Sequence, residues 1–296
     1  MRTPFTGCGT ALVTPFTASG DVDYAALEAL VAWQIAEGID FLVPCGSTGE
    51  AQTLDETERA RVVETVVRGA AGRVPVMAGA TSNDTARAVA ETRRMCELGA
   101  DWILSATPYY NKPTQEGLYR HFTAVLDAST RPVCLYNVPG RTAVNLRPDT
   151  ALRLAEHPNC LAIKEASGDL RQAVDLIRGR PERFAVLSGE DWLALAIIAS
   201  GGDGLISVVS NEVPAATTML VHLALSGELS NARACLHRLL PLMDANFIET
   251  NPAPVKAALA LMGRIRNSLR LPLVPIADAT REALRAGLRH AGVSNV

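Results

Sequence analysis

Residues 132–167 read PVCLYNVPGRTAVNLRPDTALRLAEHPNCLAIKEAS, and their pattern decides the fold. Short apolar runs at 132–139 and 160–167 flank a helical pattern at 148–156. Run, amphipathic stretch, run reads as a strand, a crossover helix and a second, parallel strand. The same unit recurs outward in both directions. Further runs at 9–16, 40–46, 74–80, 100–108, 184–189 and 204–210 bring the strands to eight. Helical patterns at 24–37, 55–70, 83–98, 115–128, 169–178, 191–200 and 212–225 lie between and after them. In the first of these, Leu27, Leu30, Val31 and Ile35 form one apolar stripe. Eight such units predict an α/β fold of the (β/α)8 TIM-barrel type over residues 1–226. A doubly wound open sheet is the alternative, but no GxGxxG follows the first run. From 227 to 296 the pattern is helical only, at 229–247, 254–262 and 278–290, with breaks at Asn251-Pro252 and Leu271-Pro272-Leu273. That segment is expected to be a C-terminal helical domain packed on the barrel.

Composition narrows the function classes. The 296 residues are 48% hydrophobic and 20% charged, with a net charge of -3. That balance provides neither a basic face for nucleic acid nor an acidic tail. The N-terminus, MRTPFTGCGTALVTPF, is unlike a signal peptide, and no run of membrane-spanning length occurs. A cytoplasmic protein without membrane or nucleic-acid partners is expected. Six scattered cysteines form no CxxC pair and read as reduced thiols, several of them inside apolar runs. The five histidines show neither HxH nor HExxH spacing, so no metal site is expected. GGDG at 201–204 precedes the eighth strand and reads as a turn, not as a phosphate cradle.

Only three lysines, Lys112, Lys164 and Lys256, stand among 28 basic residues. A position that keeps lysine in an arginine-rich chain points to chemistry that needs a neutral amine, which a guanidinium cannot provide. Codon bias would also produce such an excess. Barrel chemistry sits at the C-terminal strand ends, and Lys164 ends the sixth strand. Strand alternation points Lys164 and Ala162 into the barrel, with Leu161 and Ile163 facing the helices. Partial desolvation would lower the pKa of Lys164 and let it attack a ketone as a Schiff-base nucleophile. The alternative is a strand-end lysine reaching to solvent. Lys112 lies in a polar loop, and Lys256 is expected to pack or cap a helix. Tyr136 ends the fifth strand, as a proton relay or as a structural tyrosine. Ser47 and Thr48, between two glycines, suit a turn that binds a small carboxylate, although a plain turn has the same composition. Arg141, after Pro139-Gly140, either clamps a carboxylate or makes a surface ion pair.

Taken together, TALVTPF, GSTGE, TPYYNKPTQEGLYRHF, YNVPGRT, IKEASG, LSGED, GLISV and NPAPVK resemble the dihydrodipicolinate synthase family of pyruvate-dependent Schiff-base lyases, nearly end to end. The resemblance implies condensation of pyruvate with L-aspartate 4-semialdehyde in lysine and diaminopimelate biosynthesis, without metal or organic cofactor, and usually in a homotetramer of two tight dimers. It makes Lys164 the Schiff-base residue and Tyr136 its proton relay. Ser47 would link Tyr136 to Tyr110, which crosses from the neighbouring subunit. Thr48 would bind the pyruvate carboxylate and Arg141 that of the second substrate, while Gly189 and Ile206 line the pocket through backbone groups.

Two departures matter. Serine at position 47 replaces the threonine usual in the synthases and is common in sialate lyases. Lysine-inhibited relatives carry an acid where this chain has Arg87, and histidines where it has Glu56 and Arg59. Asn83 and Tyr109 are retained, and Ala51 belongs to the same degenerate regulatory region. Weak or absent inhibition by lysine is therefore expected. The rival reading is a sibling aldolase or dehydratase acting on a 2-keto-3-deoxy sugar acid, against which Arg141 speaks. A catalytically idle keto-acid-binding protein is the third, and the presence of both Lys164 and Tyr136 speaks against it.

Overall fold

The computed structural model describes residues 5–294 and 296. All eight expected strands form, each shorter than its apolar run: β1 (Gly7–Ala11), β2 (Phe41–Val43), β3 (Met77–Gly79), β4 (Trp102–Ala106), β5 (Val133–Asn137), β6 (Cys160–Glu165), β7 (Ala185–Ser188) and β8 (Gly204–Ser207). They are parallel in the order β2-β1-β8-β7-β6-β5-β4-β3. A parallel bridge between Leu42 and Val76 joins the two remaining edges and closes the barrel.

The helices between the strands are α1 (Tyr24–Ala36), α2 (Glu56–Ala70), α3 (Thr85–Glu97), α4 (Gln115–Ala128), a single turn α5 (Pro139–Thr142), α6 (Pro148–Leu154), α7 (Leu170–Gly179), α8 (Ala194–Ala199) and α9 (Pro214–Leu225). Several begin at side-chain caps. Asp55 and Glu58 form a reciprocal capping box at α2, and Asp84, Thr114 and Asp169 cap α3, α4 and α7. These oxygens take up N–H groups that the first turn cannot satisfy internally. The C-terminal extension follows as α10 (Leu229–Ala245), α11 (Ala253–Leu261) and α12 (Asp278–His290). α10 packs against α9 and α12, which ties the extension to the barrel.

The largest core lies between strands and helices and includes Ile163 and Val186. A second fills the barrel interior with Ala162, Leu187, Ile206 and Tyr136. One expectation needs correction. Leu161 packs against the interior cluster, not the helices, because the β5–β6 register shifts there: Val133 pairs with Cys160 and Cys134 with Ala162. The extra residue is a bulge, which breaks strict alternation. Above it the alternation resumes, so Lys164 and Ala162 share a face as expected.

Aromatic rings close the N-terminal end of the barrel. Trp102 sits 4.4 Å from Phe5 and 5.5 Å from Phe41 between ring centroids. Gly9 permits this plug, since an added Cβ would lie 2.0 Å from Phe41 Cε2. With that end sealed, the open space lies at the C-terminal strand ends.

Candidate active site

Lys164 sits near the end of β6, and its register partner across the ladder is Tyr136 on β5. Both are buried, at 6% and 7% exposure, and the Lys164 ammonium lies 4.4 Å from the Tyr136 ring centroid. Burial, the largest cause, brings the Lys164 pKa down to about 8; Arg141 pushes the same way, while Cys134 and Asp191 oppose it. A shift of that size means that the charged form loses roughly 3 kcal/mol relative to water. Burial likewise raises the Tyr136 phenol to about 12, so it stays protonated. The pair is therefore a latent nucleophile beside a proton donor.

The neighbouring Glu165 anchors the strand end from the opposite face. Its carboxylate accepts from Ser167 N (2.7 Å), Asn137 Nδ2 (3.1 Å) and Gln172 Nε2 (3.1 Å). Gly189 keeps room for the lysine. A Cβ there would lie 2.6 Å from Ala166 Cβ and 3.1 Å from Lys164 Cε. Asp191, wholly inside the protein, accepts from Ser207 Oγ (2.5 Å), Val208 N and Val209 N, and so ties the loop after β7 to that after β8.

Lys164, Tyr136, Ser47, Thr48, Arg141 and Gly189 meet around a chamber of about 150 Å³. An outer cavity of about 320 Å³ shares Ser47, Tyr136 and Arg141 with it and extends to Ala51, Arg59 and Tyr109. Ser47 is exposed at the mouth, whereas Thr48 is buried. Ile206 lies wholly buried in the barrel interior. Tyr110 lines neither cavity of its own chain and projects outward, 86% exposed, with φ at +70°. Of the expected regulatory residues, Glu56, Asn83 and Arg87 also lie outside both linings.

Three features escaped the sequence reading. Asn251, between α10 and α11, donates from Nδ2 to Thr48 Oγ1 (3.0 Å), and its carbonyl accepts from Arg141 Nη2 (3.2 Å). Lys256 does more than pack or cap. It is fully buried on α11, 2.6 Å from Glu50 Oε1 and over the Phe16 ring. Glu50 directly follows the Ser47-Thr48-Gly49 turn, so the C-terminal extension holds that turn from behind. The third is the position of Glu190, which follows the seventh strand in the polar stretch Ser188-Gly189-Glu190 and lines the chamber. The Asn251 and Lys256 signal lay in NPAPVK, where prolines drew attention to helix breaking and away from the polar residues flanking them. His121 is buried, with Nδ1 3.0 Å from Thr85 Oγ1. Among the described residues, no cluster of three or more His, Cys, Asp or Glu is arranged to hold a metal, and no helix is long and apolar enough to cross a membrane. All six cysteines are free thiols.

A model of the dihydrodipicolinate synthetase family matches residues 4–291. The chain is 54% identical to a 4-hydroxy-tetrahydrodipicolinate synthase of Koribacter versatilis (strain Ellin345), over 97% of this chain and 96% of that one. It is 52% identical to the synthase of the same name from Acidobacterium capsulatum, over 94% and 93%. The crystal structure of the chloride-inhibited dihydrodipicolinate synthase from Acinetobacter baumannii, complexed with pyruvate, matches with a TM-score of 0.96 and 44% identity, covering 98% of this chain and 99% of that chain.

Proposed function

The chain belongs to the dihydrodipicolinate synthetase family, and we propose that it is a lyase condensing pyruvate with L-aspartate 4-semialdehyde through a Schiff base on Lys164. The product is 4-hydroxy-tetrahydrodipicolinate, for lysine and diaminopimelate biosynthesis. The observation that carries the Schiff-base chemistry is a buried amine, brought down to about 8 by burial, packed beside a phenol in a chamber with one open end, and Arg141 on its lining favours the amino-acid aldehyde as acceptor.

The neutral Lys164 amine attacks C2 of pyruvate, water leaves, and a protonated imine forms. This imine withdraws electrons from C3, which loses a proton to give the enamine. The enamine carbon then bonds to the aldehyde carbon, whose oxygen takes a proton from Tyr136. The amine of the second substrate next bonds to C2, and the C2–Nζ bond breaks to free Lys164. Thr48 and the adjacent turn hold the pyruvate carboxylate, and Arg141 at the mouth holds that of the aldehyde. Ser47 retains the hydroxyl that a relay to Tyr136 requires.

The competing sugar-acid reading predicts a different acceptor. Steady-state assays with pyruvate and L-aspartate 4-semialdehyde, set against cleavage of 2-keto-3-deoxy sugar acids, separate the two. Preference for the sugar acid would overturn the synthase reading.

The outward Tyr110 supports a tight dimer in which this phenol completes the partner's site, and membership of the family supports a homotetramer of two such dimers in a cytoplasmic enzyme. Light scattering that found a fully active monomer would contradict the assembly.

A further inference from the structure

Glu190 stands immediately after Gly189, in the loop that follows β7. Its main chain is pinned at both ends: Ser188 Oγ donates to its carbonyl at 2.7 Å and accepts from its N–H at 3.2 Å. Among the described residues, it is the one carboxylate lining the Lys164 chamber, and its Oε2 is buried without a hydrogen-bond partner. The acids nearby are occupied: Glu165 holds the β6 end, and Asp191 joins two loops. Leaving a buried carboxylate oxygen unpaired costs free energy that no contact within this chain offsets. A cationic ligand group in the chamber, paired with this carboxylate, would offset part of that cost.

The polar groups around the chamber match the acceptor's charges. L-aspartate 4-semialdehyde carries a carboxylate, an ammonium and an aldehyde. Arg141 suits the first and the Lys164 enamine meets the third, which leaves the ammonium without an assigned partner. We propose that Glu190 binds this ammonium and takes one of its protons before ring closure, a role that rests on the acceptor proposed above. The freed nitrogen lone pair bonds to C2 of the Lys164-linked imine. The new C–N centre passes a proton to Nζ, the C2–Nζ bond breaks, and Lys164 leaves as a neutral amine. The proton on Glu190 passes to solvent at the chamber mouth. Burial, together with Glu165 and Asp191, holds the Glu190 carboxyl above the ordinary range, which makes it a stronger base for this transfer. Glu190 would thus favour an amino aldehyde over an aldehyde of the same length without nitrogen.

The test compares L-aspartate 4-semialdehyde with succinic semialdehyde, its des-amino analogue, in the unaltered protein and in Glu190→Gln and Glu190→Asp. Aldehyde consumption is the readout, with borohydride trapping of pyruvate as a control for the first half-reaction. The expected result is a fall in kcat/KM of about tenfold or more for the amino aldehyde in Glu190→Gln. The des-amino aldehyde should change by no more than about twofold, Glu190→Asp should recover part of the preference, and pyruvate trapping should persist. An equal loss with both aldehydes, or an undiminished preference in Glu190→Gln, would overturn this inference alone. Failure of the unaltered protein to consume the amino aldehyde would overturn the acceptor assignment, and this inference with it.

Discussion

Tyr136 and Lys164 are register partners on adjacent strands, and the lysine nitrogen lies 4.4 Å from the centre of the phenol ring. The ring shapes the wall around the amine, while the hydroxyl is available for proton transfer. Tyr136→Phe separates these roles. It should lower kcat by about 100- to 10,000-fold, the range for loss of a positioned proton donor, and still allow slow pyruvate trapping on Lys164. Steady-state rates beside a trapping assay check it. A kcat within a factor of about two of the unaltered enzyme would make the tyrosine structural.

Asn251 supports the groups proposed to bind carboxylates, through Thr48 Oγ1 and, by its carbonyl, Arg141. Asn251→Ala removes only the first bond. The KM for pyruvate should rise roughly threefold to tenfold, the value of one buried hydrogen bond, while kcat changes little. Initial-rate kinetics with varied pyruvate give the answer. A collapse of kcat at constant KM would assign Asn251 to the chemistry instead of to binding.

Arg87 is exposed at the start of α3, while Arg59 lies 3.4 Å from Glu91 beside the outer cavity. An arginine facing the amino groups of free lysine repels them by about 1 kcal/mol in a partly screened site. L-lysine should therefore inhibit weakly or not at all. An inhibition constant in the sub-millimolar range, measured at subsaturating pyruvate, would refute this.

Lys256 and Glu50 form an ion pair with both side chains removed from solvent. Replacing one partner strands the other charge in the interior. Lys256→Met should cost about 3–5 kcal/mol in urea unfolding, and pairing it with Glu50→Leu should recover much of that. Arg270 N also donates to Glu50 Oε2, so the recovery should be incomplete. A loss below about 1 kcal/mol would show that the pair is not structural.

The barrel was legible because strand and helix periods alternate eight times, a local signal. Lys164 was legible because so few lysines occur and this one ends an apolar run. Leu161 was misplaced because a bulge depends on the neighbouring strand, which the run itself does not encode. Asn251 and the Glu50–Lys256 pair were missed for the same kind of reason. Each joins the barrel to the extension across about 200 residues of chain, and neither partner has a periodic signature. Glu190 stands at a strand end where polar residues are common, and only closure of the chamber sets it apart from its neighbours.

The most direct test of the central claim is borohydride trapping with pyruvate, read by peptide mass spectrometry across a pH series. With three lysines in the chain, the assignment is unambiguous. Only the neutral amine attacks, so the trapping rate should climb as pH rises through about 8 and then level off, with the adduct on Lys164. No adduct, an adduct on Lys112 or Lys256, or a rate still climbing toward the ordinary lysine value of 10.5 would contradict the account.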